Sequence, residues 1–258
     1  YTYCDTPGIE NFALQDEEKK YIIPVLKEIL AINPSLKIMA TPWTPPRWMK
    51  VNNLTDLKPF NSWNDGQLNP KYYQDYAEYF VKYIQAMKNE GINIESITVQ
   101  NEPLNRGNSA SLFMTWQEQR DFIKTALGPN FKENNISTKI LVYDHNYNYD
   151  SEKADTQDQG SYPLKIYADS EAAKYIDGAA YHAYGGDKSE LLNIHNARPD
   201  KNLYFTEISI GLWGSGYQFG EDLMWNIREV GIGTLNNWSK TVIVWNFMLD
   251  DKHGPYRP

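Results

Sequence analysis

Two glutamates, each at the end of a strand-like run, are the residues of this sequence best placed for chemistry. Glu102 follows a β-branched run at 96–99, and Glu207 closes the run NLYFTE at 202–207. If both strands are parallel and share a barrel, their side chains enter one pocket. Two carboxyl groups about 5–5.5 Å apart are what retaining glycoside hydrolysis needs, because one protonates the leaving oxygen while the other attacks the sugar. Glu102 and Glu207 are therefore the candidate catalytic residues.

Other polar or aromatic side chains at strand ends are placed to bind a sugar. Asn101, directly before Glu102, can hydrogen-bond a hydroxyl beside the reacting carbon, and Tyr184 can hold a neighbouring carboxylate ionised. Trp43 and Trp245 follow strand ends and lie outside the amphipathic helix stripes. Their indole rings are candidates to stack on the C–H face of a sugar ring.

Asp144 and His182 complete the set of candidate substrate-binding residues. A lone histidine at a strand end more often makes structural hydrogen bonds. Together with His145 these residues raise the alternative of a metal site, but neighbours on a strand point to opposite faces and chelate poorly. We therefore expect no catalytic metal and no cofactor. The sequence has no Gly-rich phosphate loop and no Gly-x-Ser-x-Gly, which argues against nucleotide and esterase chemistry.

Length and charge narrow the class of protein. The 258 residues suffice for one α/β domain, which we assign to 1–258 as a single catalytic unit. A net charge of −8, from 33 acidic and 25 basic residues, disfavours nucleic acid as a partner. Cys4 is the lone cysteine, so an internal disulfide is excluded. We find no signal peptide and no apolar run long enough to span a membrane.

Strand-length apolar runs alternate with amphipathic stretches, a pattern typical of βα units and a parallel sheet. The predicted strands are residues 36–41, 95–100, 139–143, 178–182, 203–207 and 242–246. The predicted helices are residues 16–32, 70–90, 115–127, 163–175 and 221–236, with a weaker one at 189–197. We expect Asp16 and Thr115 to be N-caps, and Gly91 and Gly128 to stop helices.

These elements predict a (β/α)₈ barrel that is incomplete in this chain. Six strands, with residues 1–4 as the tail of a seventh, fall short of eight. An open parallel barrel would leave an unpaired edge, so we favour a fragment of a longer protein. Long segments follow several strands, notably 42–69 and 103–114, on the side that builds the active site of such barrels.

At these residues the chain resembles glycoside hydrolase family 30, the glucosylceramidase-like enzymes, almost from end to end. The narrowest motif is ATPWTPPRWMK at 40–50. The other matching segments are TYCDTP at 2–7, VQNEP at 99–103, QRDFI at 119–123, LGP at 127–129, YHAY at 181–184 and FTE at 205–207.

The resemblance implies a (β/α)₈ barrel beside a small β-sandwich, with retaining chemistry. It makes Glu102 the acid/base on the fourth strand and Glu207 the nucleophile on the seventh. The family's first strand, last helix and side domain would then lie outside this chain. A secreted, periplasmic or cell-surface location and a β-glucan or β-glucoside substrate follow from the same resemblance. The residues that match its glucose-binding pocket are Trp43, Asn101, Tyr184 and Trp245.

Two departures bear on the substrate. Residues 208–214 lack the Ala-Cys of the lipid-cleaving animal enzymes, and YHAY at 181–184 lacks their central tryptophan. Both favour β-1,6-glucan or short β-glucosides over glucosylceramide. The alternatives are a relative acting on xylan, galactan or fucosides, a carbohydrate-binding barrel without catalysis, and a metal-assisted barrel lyase or isomerase. The sequence leaves open the exact linkage, the choice between internal and terminal cleavage, and the oligomeric state.

Overall fold

The structure is a computed structural model that describes residues 1–149, 158–209 and 218–245. Its strands are β1 (Ile38–Ala40), β2 (Lys50–Val51), β3 (Gln67–Leu68), β4 (Ile94–Thr98), β5 (Lys139–Asn146), β6 (Ile176–His182), β7 (Asn202–Glu207) and β8 (Ser239–Val242). Six of them form one parallel sheet in the order β1-β4-β5-β6-β7-β8, and β2 and β3 form a small hairpin. The parallel sheet is curled into half of a barrel, as the predicted incomplete (β/α)₈ fold requires.

Helices connect successive strands of this sheet. Their bounds are α1 (Ile23–Ile32), α2 (Tyr73–Asn89), α3 (Trp116–Phe122), α4 (Gly128–Glu133), α5 (Tyr162–Tyr167), α6 (Ser170–Ala173), α7 (Ser189–Ala197), α8 (Phe219–Trp225) and α9 (Gly233–Asn236). Three π-helical segments extend them: Glu18–Ile22 leads into α1, Ile123–Leu127 joins α3 to α4, and Asn226–Ile232 joins α8 to α9. Short 3₁₀ turns lie at Ile9–Asn11, Arg47–Met49 and Pro70–Tyr72.

The longest helix shows why the sequence folds this way. Along α2, Tyr76, Phe80, Ile84 and Met87 recur three or four residues apart, so they share one face, and all four are buried. The helix ends before Gly91, which has a φ of +80° and stops it as predicted.

The cap of α3 is also confirmed. Thr115 accepts a hydrogen bond from the backbone N–H of Glu118, and the Glu118 carboxylate accepts one from the N–H of Thr115 at 2.8 Å. This reciprocal capping box satisfies two backbone donors at the start of the helix.

Several predicted boundaries are wrong. Gly128 does not stop its helix, because the chain keeps helical dihedrals through it into α4. Asp16 does not act as an N-cap, and its carboxylate instead pairs with Lys20 at 2.8 Å. Residues 1–4 are not the end of a strand, and residues 3 and 4 lie in a turn. The predicted strand at 242–246 is wrong in both bounds: β8 begins three residues earlier and ends at Val242, residues 243–245 are not strand, and Asn246 lies outside the described residues.

The core lies where the middle strands meet their helices. All seven residues of β5 after Lys139 are buried, as are six of the seven residues of β6. Such near-continuous burial is typical of parallel strands covered on both faces. Within the described ranges, no helix has the length and apolarity needed to cross a membrane.

Candidate active site

Glu102 and Glu207 lie at the carboxyl edge of the sheet. Glu207 ends β7 and stands in register with His182, the last residue of β6. Glu102 follows β4, and its backbone N–H donates to the carbonyl of Asp144 at 2.9 Å, which ties it to β5. One carboxylate oxygen of Glu102 and one of Glu207 lie within 4.8 Å of each other. This agrees with the separation of about 5 Å that the sequence argument required.

The backbone is strained where these side chains are aimed. Glu102, Tyr143 and Asp144 all have positive φ, of 42°, 73° and 57°, although none is glycine. The pairing of β5 with β6 slips between Tyr143 and His145. Left-handed backbone at a non-glycine residue costs about 1–3 kcal/mol and clusters at functional sites. The bulge breaks the simple in-and-out alternation of β5.

Asp144 ties four other strand ends together. Its Oδ2 accepts hydrogen bonds from Thr98 at 2.7 Å and from Thr41 at 3.2 Å. Its Oδ1 accepts one from Thr206 at 2.7 Å and contacts the His182 ring at 3.0 Å. The side chain is 1% exposed. Both oxygens are thus occupied by protein groups contributed from β4, β6, β7 and the end of β1.

His182 bridges Asp144 and Glu102. Its Nε2 lies 3.0 Å from Asp144 Oδ1 and its Nδ1 lies 3.2 Å from Glu102 Oε1. Burial alone would lower the pKa of His182, but the two carboxylates, Asp144 foremost, raise it to about 10. With its pKa raised, the ring carries a proton on both nitrogens below that pH, and neither then offers a lone pair to a metal ion.

The lone pairs of His182 bear on metal binding because Glu102, His182 and Glu207 together form a group of possible metal ligands. One ligand atom of each residue lies within 4.8 Å of the other two. A metal would have to displace a proton from an imidazolium held by two carboxylates. The donor set therefore fits proton chemistry better than coordination.

Glu102 is surrounded by donors. Its Oε2 accepts from the Asn105 amide at 2.7 Å and from the Asn108 amide at 2.5 Å, and its Oε1 faces His182. Burial raises the pKa of Glu102, but the hydrogen bonds and the nearby histidines outweigh it and lower the pKa to about 2. In the free chain Glu102 is therefore ionised.

The pKa of Glu207 shifts the other way. Burial raises it most, the charge of His182 opposes the rise, the charge of Glu102 adds to it, and a hydrogen bond from the Tyr184 hydroxyl opposes it. An acid/base needs the higher pKa of the two and a nucleophile the lower, so the two shifts in the free chain run opposite to that order. The contact between Tyr184 and Glu207 is the one that the sequence argument expected.

Of the residues that flank Glu102 and Asp144 in the sequence, two have a buried polar atom without a hydrogen-bond partner among the described residues. These atoms are Oδ1 of Asn101, which is 3% exposed, and Nε2 of His145, which is fully buried. Nδ1 of His145 accepts from the Asn146 N–H, and burial lowers the pKa of His145 to about 3, so Nε2 carries the hydrogen of a neutral ring. An orphaned acceptor next to Glu102 is suited to receive a sugar hydroxyl.

Trp43 and Trp245 lie together, with ring centroids 5.4 Å apart and planes inclined by 35°. Both line a cavity of about 970 Å³ that runs along β1 and the N-terminal segment. Neither Glu102 nor Glu207 lines this cavity. We attribute it to the open edge of the half-barrel, so its size is no measure of a substrate pocket.

Sequence reasoning missed the side chains that support the glutamates. Thr98 and Thr206 point inward from strands that were correctly predicted, and alternation along those strands could have singled them out. Asn105 and Asn108 lie in a loop without periodicity. The two asparagines within six residues of Glu102 were the feature of the sequence that could have indicated this role.

The chain is similar to several known proteins along nearly its whole length. It is 64% identical to the solved structure described as "The endo-beta1,6-glucanase BT3312", with a TM-score of 0.95, and the match covers 100% of this chain and 56% of that one. It is 34% identical to the endo-1,6-beta-D-glucanase of Neurospora crassa, over 99% of this chain and 50% of that protein. It is 28% identical to the lysosomal acid glucosylceramidase of Mus musculus, with the same coverage.

The chain therefore spans about half the length of the curated relatives it matches. A family model described as the glycosyl hydrolase family 30 TIM-barrel domain matches residues 1–257, nearly the whole chain. This match agrees with the half-barrel and with the two glutamates at its strand ends, and the chain belongs to glycosyl hydrolase family 30.

Proposed function

We propose that the protein containing this chain is a retaining hydrolase of β-glucosidic bonds, with Glu102 as acid/base and Glu207 as nucleophile. The observation that carries the proposal is the carboxylate pair within 4.8 Å at the strand ends of a family 30 chain. An inverting enzyme holds its carboxyl groups about 6.5–9.5 Å apart to admit a water molecule, so this spacing favours retention.

The reaction runs in two displacements. In the first, Glu207 attacks the anomeric carbon, the glycosidic bond breaks, and Glu102 gives its proton to the departing oxygen. In the second, Glu102 takes a proton from water, whose oxygen attacks the same carbon and releases Glu207. Glu102 must be protonated when the first step begins, so substrate binding must raise its pKa above the value in the free chain.

Asp144 and His182 act as positioning residues in this proposal. The sequence suggests direct substrate contacts for both, but protein groups already occupy the oxygens of Asp144 and both ring nitrogens of His182, which supports a positioning role instead. Asp144 fixes the orientation of His182, and His182 fixes Glu102. Asn101, Tyr184, Trp43 and Trp245 remain proposed substrate contacts, Asn101 through its orphaned oxygen.

The proposed substrate is β-1,6-glucan or a related β-glucoside. The relatives with the higher identity are named endo-1,6-beta-D-glucanases, and the glucosylceramidase is more distant. A glucan polymer is too large to enter a cell intact, which supports a secreted, periplasmic or cell-surface location.

The two roles separate in a kinetic test on the whole natural protein. Glu102→Ala should lose about 10²–10⁴-fold on glucosides with a poor leaving group, spare the first step on an activated aryl glucoside, and regain turnover with azide. Glu207→Ala should be inactive on every substrate. Glu171→Ala, which removes an exposed carboxylate of α6, is the control and should leave turnover unchanged.

Equal losses in both variants without azide rescue would count against this assignment. Product analysis on β-1,6-glucan, glucosylceramide and xylan identifies the substrate. Binding of glucan without any product would instead support a carbohydrate-binding barrel that lacks catalysis.

A further inference from the structure

Two side-chain amides cover the outer oxygen of Glu102. Asn105 and Asn108 both donate to Oε2, whereas Oε1 is taken by His182 on the buried side. Glu102 is 5% exposed, while both asparagines are partly exposed. A leaving-group oxygen must therefore approach Oε2, and at least one amide must move when a substrate binds.

The two amides are held differently. Oδ1 of Asn105 accepts from the N–H of Gly107 at 3.1 Å, and its backbone N–H donates to the Glu102 carbonyl at 2.9 Å. For Asn108, Glu102 is the side-chain partner that the structure gives within its described ranges. Asn108 is thus the amide that can rotate away, and Asn105 stays in place.

The backbone around them is anchored. The buried ammonium group of Lys50 donates to the Ser111 carbonyl at 2.8 Å and to the Thr44 hydroxyl at 3.0 Å. The Ser111 hydroxyl accepts from the N–H of Asp65 at 2.8 Å. These contacts join the loop at 103–114 to the segment that follows β1. Rotation of a side chain, rather than opening of the loop, is the movement that this arrangement allows.

We propose that Asn105 and Asn108 form the binding site for the leaving-group sugar, with Asn108 released from Glu102 as that sugar arrives. Each primary amide offers two donors and an acceptor oxygen, which match adjacent sugar hydroxyls. Withdrawing a donor from Oε2 also raises the pKa of Glu102, so arrival of the sugar favours the protonated acid that the first displacement needs. This inference rests on the proposed function and adds to it the residues that bind the departing sugar.

The test compares two substrates whose leaving alcohols are both primary. One is a β-1,6-linked glucose disaccharide, whose leaving sugar carries hydroxyls, and the other is a simple alkyl β-glucoside, whose leaving alcohol carries none. Both need protonation by Glu102, so the pair isolates recognition of the sugar from acid catalysis. The variants are Asn108→Ala and, as a control, Asn64→Ala, which removes an exposed amide from the segment after β1.

In the whole natural protein, Asn108→Ala should lower kcat/KM on the disaccharide about three- to tenfold relative to the alkyl glucoside, the effect of one hydrogen bond. Its melting temperature should stay unchanged, and Asn64→Ala should alter neither substrate. Equal changes on both substrates would overturn the inference, because the amide would then act on Glu102 alone. If the unsubstituted protein cleaves neither of these substrates nor β-1,6-glucan, the proposed function itself is wrong, and the inference fails with it.

Discussion

The middle and the edges of the sheet differ in what they bury. β5 and β6 are buried along almost their whole length and carry Asp144 and His182 at their ends. Trp245, which follows the edge strand β8, is 43% exposed, and Val244 is 54% exposed. Large apolar side chains are also exposed on the helices beside both edges: Tyr21, Val25 and Ile32 near β1, and Phe219, Met224, Ile227, Ile232 and Leu235 near β8.

The difference shows that the residues that hold the glutamates lie in a different part of the sheet from the edges at which a barrel would close. The hydrogen bonds that hold Glu102 involve β5, β6 and the loop after β4, and none involves the edge strands β1 and β8. The exposed apolar rows lie where a closed barrel would place further elements. The middle should therefore respond strongly to substitution, whereas the edges should affect substrate binding more than folding.

The largest effect is expected for Asp144→Ala. It removes the anion that pairs with buried His182 and the shortest hydrogen bond that the Thr206 hydroxyl donates, and it removes one acceptor of the Thr98 hydroxyl. Breaking a buried pair at one partner costs about 3–5 kcal/mol, which denaturant unfolding can measure. Asp200→Ala, which breaks an exposed ion pair with Arg198, should cost under about 1 kcal/mol. Similar costs for both would show that the middle has no special role.

His182 makes stability depend on pH. Its pKa is raised to about 10 from about 6.5, so its contribution is complete below pH 6.5 and is lost as the pH rises through 10. The pKa of Glu102 is lowered to about 2 from about 4.5, so its contribution is complete above pH 4.5 and is lost as the pH falls through 2. Both contributions are therefore complete between about pH 4.5 and 6.5.

The check is the difference in unfolding free energy between the natural protein and His182→Gln, followed from pH 6 to pH 10. The difference should shrink as the pH rises. His195→Gln in α7 is the matched histidine control. A constant gap for His182→Gln would mean that the ring is uncharged in the folded state.

Glycines give a matched test of the same contrast. A Cβ on Gly178 in β6 would lie 2.0 Å from the backbone oxygen of Asn202 in β7, whereas one on Gly220 in α8 would meet nothing within 4 Å. Gly178→Ala should destabilise the fold by about 1–3 kcal/mol or more, because neighbouring strands must separate. Gly220→Ala should stabilise it by about 0.5–1 kcal/mol through a lower entropy of the unfolded chain. Thermal unfolding of both variants decides whether tight packing is confined to the middle.

The sequence predicted the elements with strong patterns and missed those set by tertiary contacts. Parallel strands rich in β-branched residues placed Glu102 and Glu207 at one face, as the structure does. No local sequence pattern indicates the left-handed backbone of Tyr143 and Asp144. The contacts of Asp144 with four neighbouring strand ends therefore could not be predicted from the alternation of side chains along β5. Gly128 lacks the positive φ of a helix stop, and Tyr175 packs where its side chain would be.

The smallest effect on stability is expected for the tryptophans at the open edge. Trp245 follows the carboxyl end of β8, on the side of the glutamates, and its ring lies against Trp43. Trp238 precedes the other end of the same strand, is 57% exposed and stacks on His195. If indoles at the carboxyl end bind sugar, Trp245→Ala and Trp43→Ala should each lower kcat/KM. The loss should correspond to about 1–3 kcal/mol of binding free energy, the amount that an aromatic side chain contributes when it stacks on a nucleic-acid base.

The same two variants should change the melting temperature little, and Trp238→Ala should leave kinetics intact. A core tryptophan would instead cost about 3–5 kcal/mol of stability on truncation. The deciding measurement is therefore paired, with kinetics and thermal midpoint taken on each variant of the whole natural protein. A lower midpoint with unchanged kinetics for Trp245→Ala would place that ring in the packing of the edge. The sugar would then have to stack elsewhere. The prediction that the edge of the sheet contributes to substrate binding rather than to packing would be wrong for Trp245.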